Sequence, residues 1–332
     1  MPYRAFLLIV LLAVLLAAST SSPHVAILVL SNWLRSALPL VPLALAAGLI
    51  ISCGQIDIAS GAAFSFVGMI LIAWSRYSGA RNPIAIGILI AWSAVIVFYA
   101  LMYTLVVRAR IPALLCTLGL ALCGQSISLI LQAFINRPIA SVSPSGVGGM
   151  TVPLMDLGIF TWNTTWILVV VGIFAVWRYA SYAGLDHIAV GMDPVAAEIS
   201  GIKTQAIYLR AFLISGFLVG LSAILFLVNV QLGGWATNMG WGKELFAIAA
   251  AVIGGCRITG GRLHPISVAL ATILVFGITD ITNSLNIPLE FNYLFLGAGV
   301  IVVALIDAVR IRPRSTYSRK SRLSQFQLGG RR

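Results

Sequence analysis

Apolar runs of about 20 residues follow one another along this chain, and most of the charged residues stand in the gaps between them. A run of that length is what an α-helix needs to cross a bilayer core roughly 30 Å thick. Inside that core the backbone has no water to bond, so only helices and closed barrels can span it. Breaks at charges, Pro and Gly divide the sequence into ten candidate spans, at 5–22, 34–54, 59–75, 83–107, 112–135, 164–180, 207–230, 245–256, 265–285 and 289–309. Pro83, Pro112, Pro265 and Pro288 each open a run, where a missing N–H costs least. The eighth run is too short to cross as an ideal helix and is expected to be tilted, or re-entrant and buried among the others. The first follows Arg4 and ends near Ala17 and Ala18, as a signal peptide would; with no soluble domain behind it, it reads as a retained helix. The fold class is therefore all-α, a polytopic integral membrane protein of about ten transmembrane or re-entrant helices.

Charge supports the same class. Only 9% of the 332 residues are charged, against about 25% in an ordinary soluble domain, too few to cover a soluble globule of this size. The net charge of +12 raises nucleic acid as a partner, but the basic residues lie between apolar runs and in a tail at 310–332 that holds eight of them. That distribution suits cytoplasmic loops and a tail facing anionic membrane lipid, and no nucleic acid is expected. With a cytoplasmic N-terminus and alternating spans, the inside carries the tail plus Arg4, Arg108, Arg110, Arg178, Lys203, Arg210, Arg257 and Arg262. The outside carries Arg35, Arg76, Arg81, Arg137 and Lys243. The excess puts both termini in the cytoplasm, with a membrane domain at 1–309 and the basic tail at 310–332. Cys53, Cys116, Cys123 and Cys256 form no CxxC pair and read as packing residues.

Enzyme signatures are missing. Gly242-Lys243 is followed by Glu244, so the chain carries no phosphate-cradling GxxxxGK[ST] loop of its own. His24, His187 and His264 are too far apart for HExxH, and there is no GxSxG nucleophile elbow. No catalytic residue, metal site or cofactor is expected.

Four polar features interrupt the apolar pattern. The first, Gly54-Gln55-Ile56-Asp57-Ile58-Ala59-Ser60-Gly61, sets a carboxylate between two apolar stretches. It fits either a tight turn in which Asp57 caps the next helix, or a gating or transport role for a carboxylate at membrane depth. The second is the loop 185–205, where Asp193 can serve as N-cap, Pro194 as first helical residue and Gly201 as a left-handed stop. This predicts a short helix from Pro194 to Ser200 outside the bilayer, an interfacial linker or a docking element for a partner. The third, Gly254-Gly255-Cys256-Arg257-Ile258-Thr259-Gly260-Gly261, reads as a sharp turn with close helix packing. In the fourth, Thr279, Asn283 and Asn286 follow helical spacing in the ninth span, fitting helix packing or contact with a hydrated solute.

In order and spacing these segments resemble the membrane permease subunits of bacterial ABC importers, the ribose-type and branched-chain-amino-acid-type permease family, over roughly 48–307. GQIDIASG at 54–61 is similar to the family's Gly-Gly-Ile-Asp-Leu-Ser-Val-Gly. The stretch from Ala189 through Gly191, Asp193, Pro194, Ala197, Glu198, Ser200 and Gly201 to Ile202 looks like the loop that contacts the ATPase. The run from Glu244 to Gly254-Gly255 and on to Gly260-Gly261 also matches, while Leu185, Phe246, Arg257, Leu263 and Pro265 depart from the pattern. Gln55, Asp57 and Gly61 lie nearest the sugar branch. The resemblance implies a type II importer-like fold, without catalysis, that moves a monosaccharide or related polyol across a bacterial inner membrane. It further implies an ATPase with tandem nucleotide-binding domains, a periplasmic sugar-binding protein, and a second permease copy or paralogue. A neutral sugar needs hydrogen-bonding groups but no counter-charge, so a sparse path is expected, with Asn229, Thr279 and Asn283 as candidates. The alternative is an ion-coupled secondary transporter in which Asp57 or Asp280 carries a proton.

Overall fold

The computed structural model describes residues 29–30, 33–34, 36–77, 84–135, 156–157, 160–230, 237–284 and single positions at 288, 291, 294, 297–299, 301 and 305. The expected first span, most of the tenth and the basic tail lie outside the described residues.

Helix α1 (Val41–Ser52) follows a 3-10 turn at Leu38–Leu40, and Pro39 and Pro42 sit in the opening turns of the two. Every residue of α1 is buried. Ala44, Ala46, Ala47 and Gly48 keep its girth small, which is how helices approach closely where no hydrophobic effect drives them together. Helix α2 (Ser60–Tyr77) packs on α3 (Ile84–Tyr103) and α4 (Ala113–Ile135), whereas α1 is held by α5 (Trp162–Ala180), α8 (Thr204–Val230), α9 (Lys243–Ile253) and α10 (Pro265–Ser284), and α8 joins the two groups by packing on α1, α2 and α3. Two short helices, α6 (Tyr182–Met192) and α7 (Pro194–Ile199), lie between α5 and α8. A single π-helical turn, Thr104–Arg108, ends α3.

Helix α8 runs antiparallel to α1: Ser215 Oγ donates to the Ala46 carbonyl at 3.2 Å and Ser222 Oγ to that of Pro39 at 2.7 Å. It is also antiparallel to α3, with Trp92 stacked on Phe217 at 4.6 Å and Tyr103 edge-on to Phe212 at 6.3 Å. The outer faces of α3, α4 and α5 expose Leu89, Val97, Leu115, Leu122, Ile173 and Val176, a surface suited to acyl chains rather than water.

Three helical stretches among the described residues are long and apolar enough to cross a membrane, Ala85–Arg108, Ala113–Ile135 and Thr204–Leu227. Leu38–Ser52, Ser60–Trp74, Val169–Ala180 and Pro265–Thr279 are shorter apolar helices. Beyond the eighth run, already expected to be short, the candidate spans among the described residues thus divide into full-length and shorter helices. The structure also adds a two-residue antiparallel pair, Asp156–Leu157 with Phe160–Thr161, in the connection before α5.

Candidate functional site

The chain breaks twice inside the bundle, and the breaks meet. Between α1 and α2 the segment 53–59 turns back among the helices instead of forming a surface hairpin. Asp57 is only 2% exposed. Its Oδ1 accepts the Ala59 N–H at 2.8 Å, an Asx turn leading into α2, and its Oδ2 accepts the Tyr99 hydroxyl at 2.6 Å. Tyr99 lies nine residues before Arg108, the basic residue ending α3, about 13 Å along the axis. The aspartate therefore shapes the entry to α2, as its local sequence allows, and does so deep in the bundle.

The second break precedes α9. Gly240 N–H donates to Ser65 Oγ of α2 at 2.8 Å, and Gln125 Nε2 of α4 donates to the Thr237 carbonyl at 3.3 Å. The 237–242 segment is thereby pinned to α2 and α4. A Cβ on Gly61 would land on Glu244 Oε2, an atom that is buried without a hydrogen-bond partner, while Glu244 Oε1 accepts the Gly242 N–H at 3.2 Å. At 11 residues, α9 is about 16 Å long, half a bilayer core. The short eighth run thus starts beside the first turn of α2.

At the far end of α9, Gly254 and Gly255 close the helix and Gly254 packs against Val268 of α10. Three sequence motifs converge here. Gly261 N–H donates to the Ser52 carbonyl at the end of α1 at 2.8 Å. A Cβ on Gly191, near the end of α6, would strike that same carbonyl oxygen and sit 2.7 Å from Gly261 N. Gly260, at φ +87°, would carry a Cβ into the Gly191 carbonyl and within 3.0 Å of Gly54 N. A side chain would fit at neither Gly191 nor Gly260.

Helices α6 and α7 carry this junction to the surface. Ser181 caps α6 by accepting the Gly184 N–H at 3.1 Å, so most of the expected 185–205 loop is helical. His187 is buried, with Nε2 2.7 Å from Ser52 Oγ and 3.2 Å from the Leu49 carbonyl. Burial holds its pKa down to about 4, against the weaker pull of the Leu49 carbonyl. Asp193 caps α7, accepting the Val195 and Ala196 N–H groups at 3.0 Å each, and Gly201 at φ +86° donates back to the Glu198 carbonyl. Helix α7 itself ends at Ile199, with Ser200 as its C-cap. Ala197 faces inward beside Val190 and Ile207, whereas Glu198 is exposed and Val195 and Ile199 are 67% and 83% exposed.

The fourth motif stands apart. Thr279 Oγ1 donates to the Val275 carbonyl of its own helix at 3.2 Å, and Thr282 Oγ1 to that of Thr279 at 2.9 Å. The side chains of Asn229, Asp280 and Asn283, and the whole of Asn286, lie outside the described residues. Among the described residues no group of three His, Cys, Asp or Glu could hold a metal ion. None of the four cysteines is in a disulfide among the described residues, and three of them are buried.

Tyr99, Ser65, Gln125, Ser52 and the burial of His187 escaped the sequence reading. A tyrosine or serine inside an apolar run carries no sign of its partner, and His187 sat in a segment read as a polar loop.

The sequence matches the family described as "Branched-chain amino acid transport system / permease component" over residues 29–304. It is 28% identical to the autoinducer 2 import system permease protein LsrC of Escherichia coli O157:H7, covering 91% of this chain and 85% of that one. Against the LsrC protein of Salmonella typhi it is 28% identical, over 97% and 89% of the two chains. Against the galactofuranose transporter permease protein YtfT of Escherichia coli K12 it is 26% identical, over 91% and 89%. No solved structure matches.

Proposed function

Because the chain belongs to the permease-component family of branched-chain amino acid transport systems, we propose that it is the transmembrane subunit of an ATP-binding-cassette importer moving a monosaccharide or related polyol across the inner membrane. Relatives named for autoinducer 2 and galactofuranose support the solute class. The observation that carries the division of labour is α7: a capped helix, held by the bundle on its Ala197 side, presents Val195, Glu198 and Ile199 outward. It docks an ATPase with tandem nucleotide-binding domains on the cytoplasmic side, the side on which both termini are proposed to lie. A periplasmic sugar-binding protein delivers solute on the other side, and a second permease copy or paralogue completes the path.

The chain's own task is alternating access. Nucleotide binding in the partner moves α7 and shifts the short helices around Asp57 and Glu244, opening the path to one side at a time. Asn229, Thr279 and Asn283 are the proposed weak contacts for solute hydroxyls, affinity being left to the binding protein.

The test is reconstitution in proteoliposomes with a candidate partner ATPase and sugar-binding protein from the same genome, and a panel of tritiated monosaccharides and polyols. Uptake is expected only when ATP, ATPase and binding protein are all present. Uptake by this chain alone under a proton gradient would overturn the proposal in favour of an ion-coupled carrier.

A further inference from the structure

The geometry points to a transmission joint in which Gly191 and His187 fasten α7 to the end of α1 and to the 254–261 turn, so that the three move as one body when the partner ATPase changes state. This rests on α7 being the ATPase contact proposed above, and it adds where the motion goes next.

Three observations carry it. First, α7 follows α6 with a single residue, Asp193, between them, and the Asp193 side chain bonds to the first turn of α7. A displacement of α7 therefore has little slack before it reaches Gly191. Second, Gly191 meets the bundle backbone to backbone: its carbonyl lies under Gly260, its Cα against the Ser52 carbonyl, and Gly261 N–H bonds that carbonyl at 2.8 Å. Contacts between backbones have no rotamers to relax, so they transmit displacement rather than absorb it. Third, the His187 ring sits one helical turn from Gly191, inside the last turn of α1. It is within hydrogen-bonding distance of Ser52 Oγ and the Leu49 carbonyl and edge-on to Trp177 at 5.7 Å. Gly191 and His187 are positioning residues, for neither touches solute or nucleotide.

The joint connects both breaks. Ser52 and Gly54 lead into the Asp57 segment, and the 254–261 turn closes α9, whose other end bears Glu244 against α2. A push on α7 thus acts on both half-length elements at once.

The experiment uses the full permease–ATPase complex with exposed Cys123 replaced by Ser. Spin labels go at Ala196, exposed on α7 beside rather than on the Val195, Glu198 and Ile199 face, and at exposed Thr259, across the joint, and in a second sample at Ala196 and exposed Leu118 of α4. Distances are compared between nucleotide-free and ADP–vanadate-trapped states. The 196–259 distance is expected to stay constant while 196–118 shifts. A change in 196–259 matching that in 196–118, or no change in either, overturns the joint. In a second measurement, maleimide labelling of Asn238→Cys, an exposed position beside the second break, is expected to differ between the two states. That difference is expected to be lost on adding Gly191→Ala; its survival overturns the proposal. Failure of the docking reading shows separately, as unchanged copurification of the ATPase with Ile199→Asp.

Discussion

The pair Asp57–Tyr99 admits a quantitative test of why the chain can turn back inside the bundle. Tyr99→Phe leaves Asp57 Oδ2 buried without its 2.6 Å donor, a cost of about 1–3 kcal/mol that tends to the upper end because the acceptor is a carboxylate. Asp57→Ala orphans two buried donors, the Tyr99 hydroxyl and the Ala59 N–H, at about 1–3 kcal/mol each. The double variant loses the same contact only once, so the cycle is expected to give a coupling energy of about 1–3 kcal/mol. Asp57→Asn keeps an oxygen for Ala59 N–H and offers an amide N–H to the tyrosine oxygen, so it costs less than Asp57→Ala. The assay is reversible unfolding in mixed micelles by SDS titration, followed by tryptophan fluorescence. A coupling energy below about 0.5 kcal/mol, the usual scatter of independent sites, would refute the reasoning. So would Asp57→Asn proving as damaging as Asp57→Ala.

Three further outcomes are expected. Asp193→Ala removes the side chain that bonds Val195 and Ala196 N–H and should cost about 0.5–2 kcal/mol of α7 stability, read as reduced ATPase copurification with the spans still folded. His187 has a folded pKa of about 4 against 6.5 when unfolded, so the unfolded state binds more protons between those values. Its contribution is complete above pH 6.5 and is lost as pH falls towards 4, about 2 kcal/mol between pH 7 and 5. SDS unfolding at both pH values should show that slope, and His187→Gln should flatten it. For the solute path, Asn229→Cys, Thr279→Cys and Asn283→Cys should label from at least one side in some nucleotide state and lower uptake. Inaccessibility of all three together with normal uptake would remove them from the path.

The amino-acid sequence by itself determined the class. Long apolar runs with most charges between them or near their ends leave a helical membrane bundle as the solution, because a bilayer satisfies no stray backbone group. The α7 cap was equally legible, since Asp193, Pro194 and Gly201 act on neighbours within a few residues. The shortness of the eighth run showed as well, because it is a matter of counting. What only the tertiary structure decided was which distant segments meet. Gly260 read as a local turn residue and Gly191 as part of the loop that contacts the ATPase, yet both lie at a backbone crossing with the end of α1, far away in sequence, where a Cβ would strike a carbonyl. Nothing near Tyr99 marks it as the partner of Asp57, 42 residues away, and nothing near Gly61 announces Glu244. Hydropathy reports the cost of leaving water, a property of each residue alone. Close approach and hydrogen-bond partnership are properties of pairs, and only packing forms the pairs.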